Sequence, residues 1–445
     1  MQTNFSSVTK SLSLTELDNL QSYKQIGQQL KKIQGSDTEE DDQFGFSVAV
    51  SNTRIVVGAT GKDTTASNAG AAYIFDIDGN EIKKIQAFDP PGTSDAQADD
   101  YFGVSVAVSD TRIVVGAQYE DTGGSNAGSA YIFDINGNEI KKIQAFDPPG
   151  TNDAEAGDNF GRSVAVSNTR IVVGATGKDT TASNAGAAYI FDIDGNEIAK
   201  IQAFDPPGTS DAQADDYFGV SVAVSDTRIV VGARGEDTTA DNAGSAYIFD
   251  IDGNGIAKIQ AFDPPGTSDA QFYDGFGSSV AVSNTRIVVG AGGKNTTEYS
   301  DVGAAYIFDI DGNEIAKIQA DDAEQYDYFG DSVAVSDTRI VVGAQYEDTG
   351  DNGAGAAYIF DINGTQLAKI QASDIQFNDY FGHSVAVSDT RIVVGAIKFY
   401  TIDPNAGGNA YIFSTGFSPF GDLCAYYALG DPTVLDTNFS WSDYT

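Results

Sequence analysis

Short apolar runs separated by polar and glycine-rich segments dominate the pattern along the chain, and no helical period appears within them. In the first copy of the pattern we predict one β-strand for each of four runs: Phe46–Ser51, Arg54–Ala59, Ala71–Ile77 and Glu81–Phe88. Each run is rich in β-branched or aromatic residues and is bounded by Gly, Asn, Asp or Pro. The Asp-Gly pair between the third and fourth runs predicts a type I′ hairpin.

The pattern recurs along the chain, anchored on a Phe-Gly pair and followed each time by Val-Val-Gly-Ala, Tyr-Ile-Phe and Lys-Ile-Gln. The seven anchors are Phe44, Phe102, Phe160, Phe218, Phe276, Phe329 and Phe381. A four-stranded antiparallel sheet cannot bury both of its faces alone, whereas a ring of such sheets can. The sequence therefore predicts an all-β fold, a seven-bladed β-propeller of four-stranded antiparallel blades, over residues 25–416.

The two ends of the repeat region predict how the ring closes. Residues Gly27–Asp37 match Gly364–Asp374, the fourth strand of the sixth unit, yet precede the first Phe-Gly pair. The seventh unit stops after its third strand, Tyr411–Phe413. We therefore predict that the N-terminal strand completes the last blade, which removes an open sheet edge. Outside the ring we predict an N-terminal segment, 1–24, with a short helix, and an aromatic C-terminal tail, 417–445, that docks on the propeller or a partner subunit.

The combination of Phe-Gly-x-Ser-Val-Ala, Val-Gly-Ala and Tyr-Ile-Phe resembles the FG-GAP repeat of integrin α-subunits, over about Gly27 to Phe413. The resemblance implies an integrin-type propeller, typically an extracellular or surface-borne recognition domain. Similar repeats occur in microbial and viral surface proteins. One family feature is absent, because the calcium loop that many members carry between the first and second strands is here only Ser51-Asn52-Thr53 or its equivalent.

Charge excludes several partners. The chain has 25 Lys and Arg against 64 Asp and Glu, a formal net charge of −39, which repels nucleic acid and anionic lipid. No apolar run is long enough for membrane insertion, and the N-terminus lacks the features of a signal peptide. A single Cys424 and a single His383 exclude an intramolecular disulfide framework and a His-rich metal site.

Acidic residues recur on one side of the predicted ring. In an antiparallel blade, the first-to-second and third-to-fourth links form one rim, here the short-turn rim, and the remaining links form the opposite, long-loop rim. Candidate calcium ligands on the long-loop rim come from two recurring positions: Asp37, Asp42, Asp89, Asp100, Asp147, Asp158, Asp205 and Asp216. Calcium takes six to eight oxygen ligands. Alternatively, each Asp accepts backbone N–H groups within its own turn.

We predict ligand-binding residues at the positions where the seven copies of the repeat differ. The seventh long loop alone carries Lys398, Phe399 and Tyr400, which we predict as ligand-binding residues. The chain is interpreted as a non-catalytic recognition or adhesion module that binds a protein or glycan on the long-loop rim, extracellularly or on a virion surface. No blade carries a distinct nucleophile, base and orienting group, so an enzyme is not predicted. The alternatives are a structural virion or assembly protein without a ligand and a hydrolase on a propeller scaffold.

Overall fold

The computed structural model describes residues 26–205, 207–237, 240–296, 300–349, 351–398 and 407–416. The predicted helix within 1–24, the tail 417–445, and Phe399 and Tyr400 lie outside these residues. The described residues form strands and connecting loops and contain no helix, hence none that crosses a membrane.

The strands form seven antiparallel sheets of four strands each, which confirms the predicted all-β, seven-bladed propeller. Blade 1 contains β2 (Phe44–Val50), β3 (Arg54–Ala59), β4 (Ala71–Asp76) and β5 (Glu81–Ile85); blade 2 contains β6 (Ser105–Val108), β7 (Arg112–Ala117), β8 (Ser129–Asp134) and β9 (Glu139–Ile143); blade 3 contains β10 (Phe160–Val166), β11 (Arg170–Ala175), β12 (Ala187–Asp192) and β13 (Glu197–Ile201). Blade 4 contains β14 (Ser221–Val224), β15 (Arg228–Ala233), β16 (Ser245–Asp250) and β17 (Gly255–Ile259); blade 5 contains β18 (Ser279–Val282), β19 (Ile287–Ala291), β20 (Ala304–Phe308) and β21 (Glu314–Ile318); blade 6 contains β22 (Ser332–Val335), β23 (Arg339–Ala344), β24 (Ala356–Asp361) and β25 (Gln366–Ile370). Blade 7 contains β26 (Ser384–Val387), β27 (Arg391–Ala396), β28 (Asn409–Ser414) and β1 (Gln29–Ile33).

The last blade takes its fourth strand from the other end of the chain. Strand β1 pairs antiparallel with β28, with Lys32 opposite Tyr411 and Ile33 opposite Ala410. Ile33 is buried among side chains of blades 1 and 7. Lys31, two residues before Ile33, donates to the carbonyl of Gly79 in blade 1 at 2.8 Å. This strand therefore contacts both the last blade and the first.

Each hydrophobic core lies between two neighbouring blades. Between blades 1 and 2, Ile74 and Ile85 pack against Phe102, Tyr131 and Phe133 of the next blade. The Phe102 ring meets the Tyr131 ring edge to face, with centroids 5.4 Å apart. The phenylalanine of each Phe-Gly pair is thus a core residue.

The glycines of the repeat allow adjacent blades to approach at the ring centre. A Cβ on Gly58 would stand 2.1 Å from the carbonyl oxygen of Gly103 in the next blade. The hydroxyl of Ser47 donates to that same oxygen at 2.7 Å. At the seam between blades 7 and 1, Ser384 makes the equivalent bond to Gly45 at 2.8 Å. The seam is therefore built like the other blade junctions.

The recurring arginine of each second strand joins its blade to the following hairpin. Arg54 donates through Nε to the carbonyl of Ile135 at 2.9 Å and through Nη2 to Asn136 at 3.2 Å. Arg391 reaches from blade 7 to the carbonyl of Ile77 in blade 1 at 3.3 Å. A backbone carbonyl of the next blade is therefore the partner that all seven arginines share.

The hairpin between the third and fourth strands differs from the predicted type I′ turn. Only Gly79 has a positive φ (77°), whereas a type I′ turn requires positive φ at two central residues. The N–H of Gly79 donates to the carbonyl of Asp76, and the Asp76 carboxylate accepts the N–H groups of Asp78 and Asn80. The carboxylate of Asp76 stabilises a longer turn, and these same bonds hold its pKa below the usual value.

Candidate functional site on the long-loop rim

The two rims of the ring differ as the sequence predicts. On the short-turn rim, seven similar turns surround a cavity of about 260 Å³ lined mainly by Ser, Asn and Asp, such as Ser51 and Asn52. Each serine hydroxyl accepts N–H groups of its own turn; that of Ser51 accepts those of Thr53 and Arg54. The long-loop rim contains the recurring acids and the larger differences between copies.

The acid two residues before each Phe-Gly pair caps its own turn. Each carboxylate accepts the N–H of the residue three positions earlier, at 2.6–2.9 Å. The set is Asp42, Asp100, Asp158, Asp216, Asp274, Asp327 and Asp379, and all seven are buried. This geometry is that of the turn-forming alternative.

The charge beside these acids alternates around the ring. In blades 1, 3, 5 and 7 a buried lysine lies 2.9–3.3 Å from the carboxylate: Lys62, Lys178, Lys294 and Lys398. In blades 2, 4 and 6 a buried glutamate occupies the corresponding loop position: Glu120, Glu236 and Glu347. Burial without a lysine partner, together with the nearby glutamate charge, raises the pKa of Asp100 to about 6, of Asp216 to about 7 and of Asp327 to about 6.

Lys398, one of the three predicted ligand-binding residues, lies in this buried ion-pair position. Its side chain is 7% exposed, and its Nζ is 3.3 Å from Asp379 and 3.3 Å from the amide oxygen of Gln376. The structure thus places Lys398 in an intramolecular contact rather than on the rim surface. A binding role for Phe399 and Tyr400, outside the described residues, stays a prediction.

The acids that follow the Lys-Ile-Gln strands divide into two groups. Asp37 accepts the hydroxyl of Tyr73 at 2.7 Å and pairs with Lys84 at 2.7 Å. In blade 2 the equivalent partner of Tyr131 is Asp95, six residues after the predicted Asp89. Asp147 and Asp205 are likewise replaced in this role, and the acids that take it are Asp153 and Asp211.

An inserted hairpin explains this difference. After four of the blades the chain continues through Asp-Pro-Pro-Gly-Thr before it reaches the tyrosine-binding acid. Phe88 and Ser94 form a bridge across the insertion, and Asp89 lies at its base, half exposed and 3.8 Å from Lys142. Asp37 and Asp89 share a sequence context without sharing a structural position.

Within the described residues, no group of three or more Asp, Glu, His or Cys side chains is placed to hold a metal ion. The eight predicted calcium ligands have protein partners, a backbone N–H, a tyrosine hydroxyl or a lysine, at 2.6–3.9 Å. Calcium binding at these positions stays a prediction, and the geometry supports structural roles for the carboxylates.

A second cavity, of about 580 Å³, lies on the long-loop rim at blades 5 to 7, and we call it the tyrosine cavity. Its aromatic lining is Tyr326, Tyr328, Tyr346 and Tyr380. The Tyr346 ring stands between two others, with its centroid 5.3 Å from that of Tyr328 and 5.3 Å from that of Tyr380. Amides and carboxylates complete the lining: Gln325, Asn352, Asn378, Asp331 and Asp348.

Backbone hydrogen bonds hold three of these tyrosines in the left-handed region, including Tyr326 with φ 71°. Tyr328 has φ 53° and Tyr380 has φ 50°, a conformation that is unfavourable for a residue with a Cβ. The N–H of Tyr328 donates to the carbonyl of Asp301, and the N–H of Tyr380 donates to the carbonyl of Gly353, both at 3.1 Å. The loop of the preceding blade therefore fixes where each ring stands.

A hydrogen-bonded chain of three side chains that differ from copy to copy begins at Asp331, which lines the tyrosine cavity. The amide nitrogen of Gln345 donates to Asp331 at 2.7 Å, so its oxygen accepts from Nδ1 of His383, also at 2.7 Å. Burial lowers the pKa of His383 to about 4 and raises that of Asp331. His383 is therefore neutral at pH 7, with its proton on Nδ1.

The tyrosine cavity was not among the predicted sites, although the repeat contained a signal for it. Tyr346 stands where Gly61, Gly177, Gly235 and Gly293 stand in other copies, and Tyr119 is the one other tyrosine at this position. Tyr119 contacts Tyr101 of its own blade at 5.6 Å, but the next blade has Asn159 where Tyr380 would be. The three-ring arrangement is therefore specific to blades 6 and 7.

The protein is thus a seven-bladed β-propeller with the tyrosine cavity on its long-loop rim. The chain belongs to the FG-GAP repeat family, whose model matches residues 28–75, 93–133, 151–191, 208–249, 267–308, 313–360 and 365–413. A search of curated proteins gives no match. Among solved structures, the chain is similar to the WD40 β-propeller domain of Doa1, with a TM-score of 0.47 and 10% identity over 87% of this chain and 96% of that one.

Proposed function

We propose that this propeller is a non-catalytic recognition module that binds a protein or glycan through its long-loop rim, at a cell or virion surface. The observation that carries the proposal is the tyrosine cavity, which interrupts an otherwise repetitive ring on the rim with the longer loops. Concave sites with a few convergent polar groups on a rigid scaffold are typical of ligand binding.

The non-catalytic part of the proposal rests on the arrangement of the titratable groups. The acids whose pKa is raised to about 6 or 7 recur in alternate blades, each capping a turn beside the same type of glutamate. Recurrence with the same partners is what a structural role requires, whereas a catalytic site needs different groups brought to one place.

The surface location rests on the family and on the charge. FG-GAP repeats are usually extracellular, and a net charge of −39 favours solubility and disfavours nucleic acid and anionic lipid as partners. Basic groups on a partner would be attracted to the acidic rim, so an affinity that falls with added salt is expected for a basic ligand.

The test blocks one rim at a time. In a Cys424→Ser background, a polyethylene glycol maleimide is attached to an Asp351→Cys variant on the long-loop rim or to an Asp110→Cys variant on the short-turn rim. Both positions are exposed. Each labelled protein is applied to an array of immobilised glycans and extracellular polypeptides.

We expect the unlabelled protein to bind at least one class of ligand on the array. The label at position 351 should abolish binding by steric exclusion, and the label at position 110 should leave it intact. Absence of any binding, or loss of binding only with the label at position 110, would contradict the proposal.

A further inference from the structure

We propose that the tyrosine cavity is a binding site for neutral saccharides. This inference deepens the proposed recognition function and rests on it, because it names the ligand class of the same rim. The cavity's shape, its aromatic rings, its hydrogen-bonding groups and its charge each bear on the identity of the ligand.

The volume and the rings suit a ligand with an apolar face. A space of about 580 Å³ lies in the usual range for small-molecule sites. Tyr346 is 41% exposed and Tyr326 is 52% exposed, and both line the cavity. A pyranose presents C–H groups on one face, which can stack on such exposed rings.

The remaining lining suits a ligand with many hydroxyl groups. Side-chain amides both donate and accept hydrogen bonds, and the lining offers three of them, Gln325, Asn352 and Asn378. Burial raises the phenol pKa of Tyr328, Tyr346 and Tyr380, so these hydroxyls remain protonated at neutral pH and also donate and accept. Sugar hydroxyls have the same dual capacity.

Charge selects neutral over acidic saccharides. Asp348 places a carboxylate in the cavity, and the described lining includes no Lys or Arg. Burial raises the pKa of the other lining acid, Asp331, so repulsion of an anion falls mainly to Asp348 and the net charge. One oxygen of Asp348 accepts the N–H of Gly353 at 2.7 Å, which orients the carboxylate in the loop. Together with the net charge of −39, this carboxylate repels a sialylated, sulfated or uronic ligand.

Another blade of the propeller provides a matched control residue for Tyr346. Tyr119 in blade 2 occupies the repeat position of Tyr346 and is similarly exposed, at 37% against 41%. It contacts one tyrosine ring, Tyr101, whereas Tyr346 lies between two. Replacement of either tyrosine by alanine removes a similar exposed area, but only the replacement of Tyr346 disrupts the proposed site.

The experiment measures binding of the full chain to an array of neutral, sialylated and sulfated oligosaccharides, followed by calorimetric titration with the best neutral one. We expect neutral glycans alone to bind, with Tyr346→Ala weakening affinity at least about tenfold, or about 1.4 kcal/mol, because central aromatic residues contribute most to binding. Tyr346→Phe, which keeps the ring, should weaken affinity only a few fold. Tyr119→Ala should bind as the unmodified chain does, and thermal melting should show that each variant is folded.

Three results would overturn the inference. One is the absence of neutral-saccharide binding at millimolar concentration, and another is a preference for acidic glycans. The third is equal binding by Tyr346→Ala and Tyr119→Ala. If a polypeptide on the first array binds and is blocked by the label at position 351, while no saccharide binds, the recognition function stands and the saccharide inference fails.

Discussion

At the scale of single residues, the same aspartate has two electrostatic environments in alternate blades. Asp274 is fully buried with Lys294 at 2.9 Å, whereas Asp216 is equally buried beside Glu236 and Asp211. Both accept one backbone N–H of their turn. Burial of an acid without a cation favours its protonated form, which explains a pKa of about 7 for Asp216.

The first prediction follows from the sign of this shift. Since the folded pKa of Asp216 lies above the ordinary aspartate value of 3.8, the folded state holds a proton that the unfolded state has lost between about pH 4 and pH 7. This carboxyl therefore reduces the free energy of unfolding as pH rises through that window, and the reduction is complete above pH 7. Because the pKa rises from 3.8 to about 7, Asp216→Asn should stabilise the protein by up to about 4 kcal/mol at pH 8 and by nearly nothing at pH 4.

Denaturant unfolding at several pH values measures the effect, with Asp274→Asn as the matched variant. Burial raises the pKa of Asp274 as well, but Lys294 at 2.9 Å offsets part of the cost of its charge, so Asp274→Asn should stabilise the protein at pH 8 less than Asp216→Asn does. Equal effects of the two substitutions at pH 8 would show that the alternation of Lys and Glu has no electrostatic consequence.

At the scale of elements, β1 is the one strand whose blade partners lie at the far end of the sequence. It covers the edge of β28, buries Ile33, and pairs Lys32 with Asp374 at 2.7 Å. An uncovered central propeller strand presents unpaired N–H and C=O groups and invites association with other chains. The contribution of β1 is therefore both stability and protection of an edge.

We accordingly predict that deletion of residues 1–37 lowers the melting temperature and promotes aggregation. Deletion of 1–24 is the control, because it retains the whole of β1. Differential scanning calorimetry and light scattering measure the two effects. If the longer deletion melts and scatters as the shorter one does, the pairing of β1 with β28 contributes nothing that the ring needs.

At the scale of the whole molecule, charge opposes compactness. A net charge of −39 implies self-repulsion that salt screens over about 10 Å at 0.1 M ionic strength. Screening by cations should therefore stabilise the folded chain even without a defined binding site. A calcium effect is informative only in comparison with another divalent cation.

We predict that calcium and magnesium chloride raise the melting temperature equally at equal concentration, because the eight candidate carboxylates have protein partners. A specific calcium site would add a further stabilisation of about 2.7 kcal/mol at a hundredfold excess over the dissociation constant. Magnesium is a suitable control because it has the same charge and a stricter, smaller coordination shell. A calcium increment beyond that of magnesium, removed by chelator, would restore the sequence prediction of a calcium site.

The sequence by itself determined the blades. Alternation of core and surface positions, Gly-bounded β-branched runs and seven Phe-Gly anchors predict the strands, and the second strand, Arg54–Ala59, has the bounds that the structure shows. These features are encoded locally, by a period of two and by turn residues, and their repetition requires a ring because one blade cannot bury both faces.

Only the tertiary structure decided which side chains meet. Asp37 and Asp89 follow the same strand motif, yet Asp95 binds the tyrosine in blade 2, because an inserted hairpin displaces the register. Lys398 stands out in the sequence but pairs with the buried Asp379. Tyr346 gains its second ring partner from the following blade, 34 residues along the chain. Contacts across a blade junction depend on ring geometry and loop length together, which no single copy of the repeat contains.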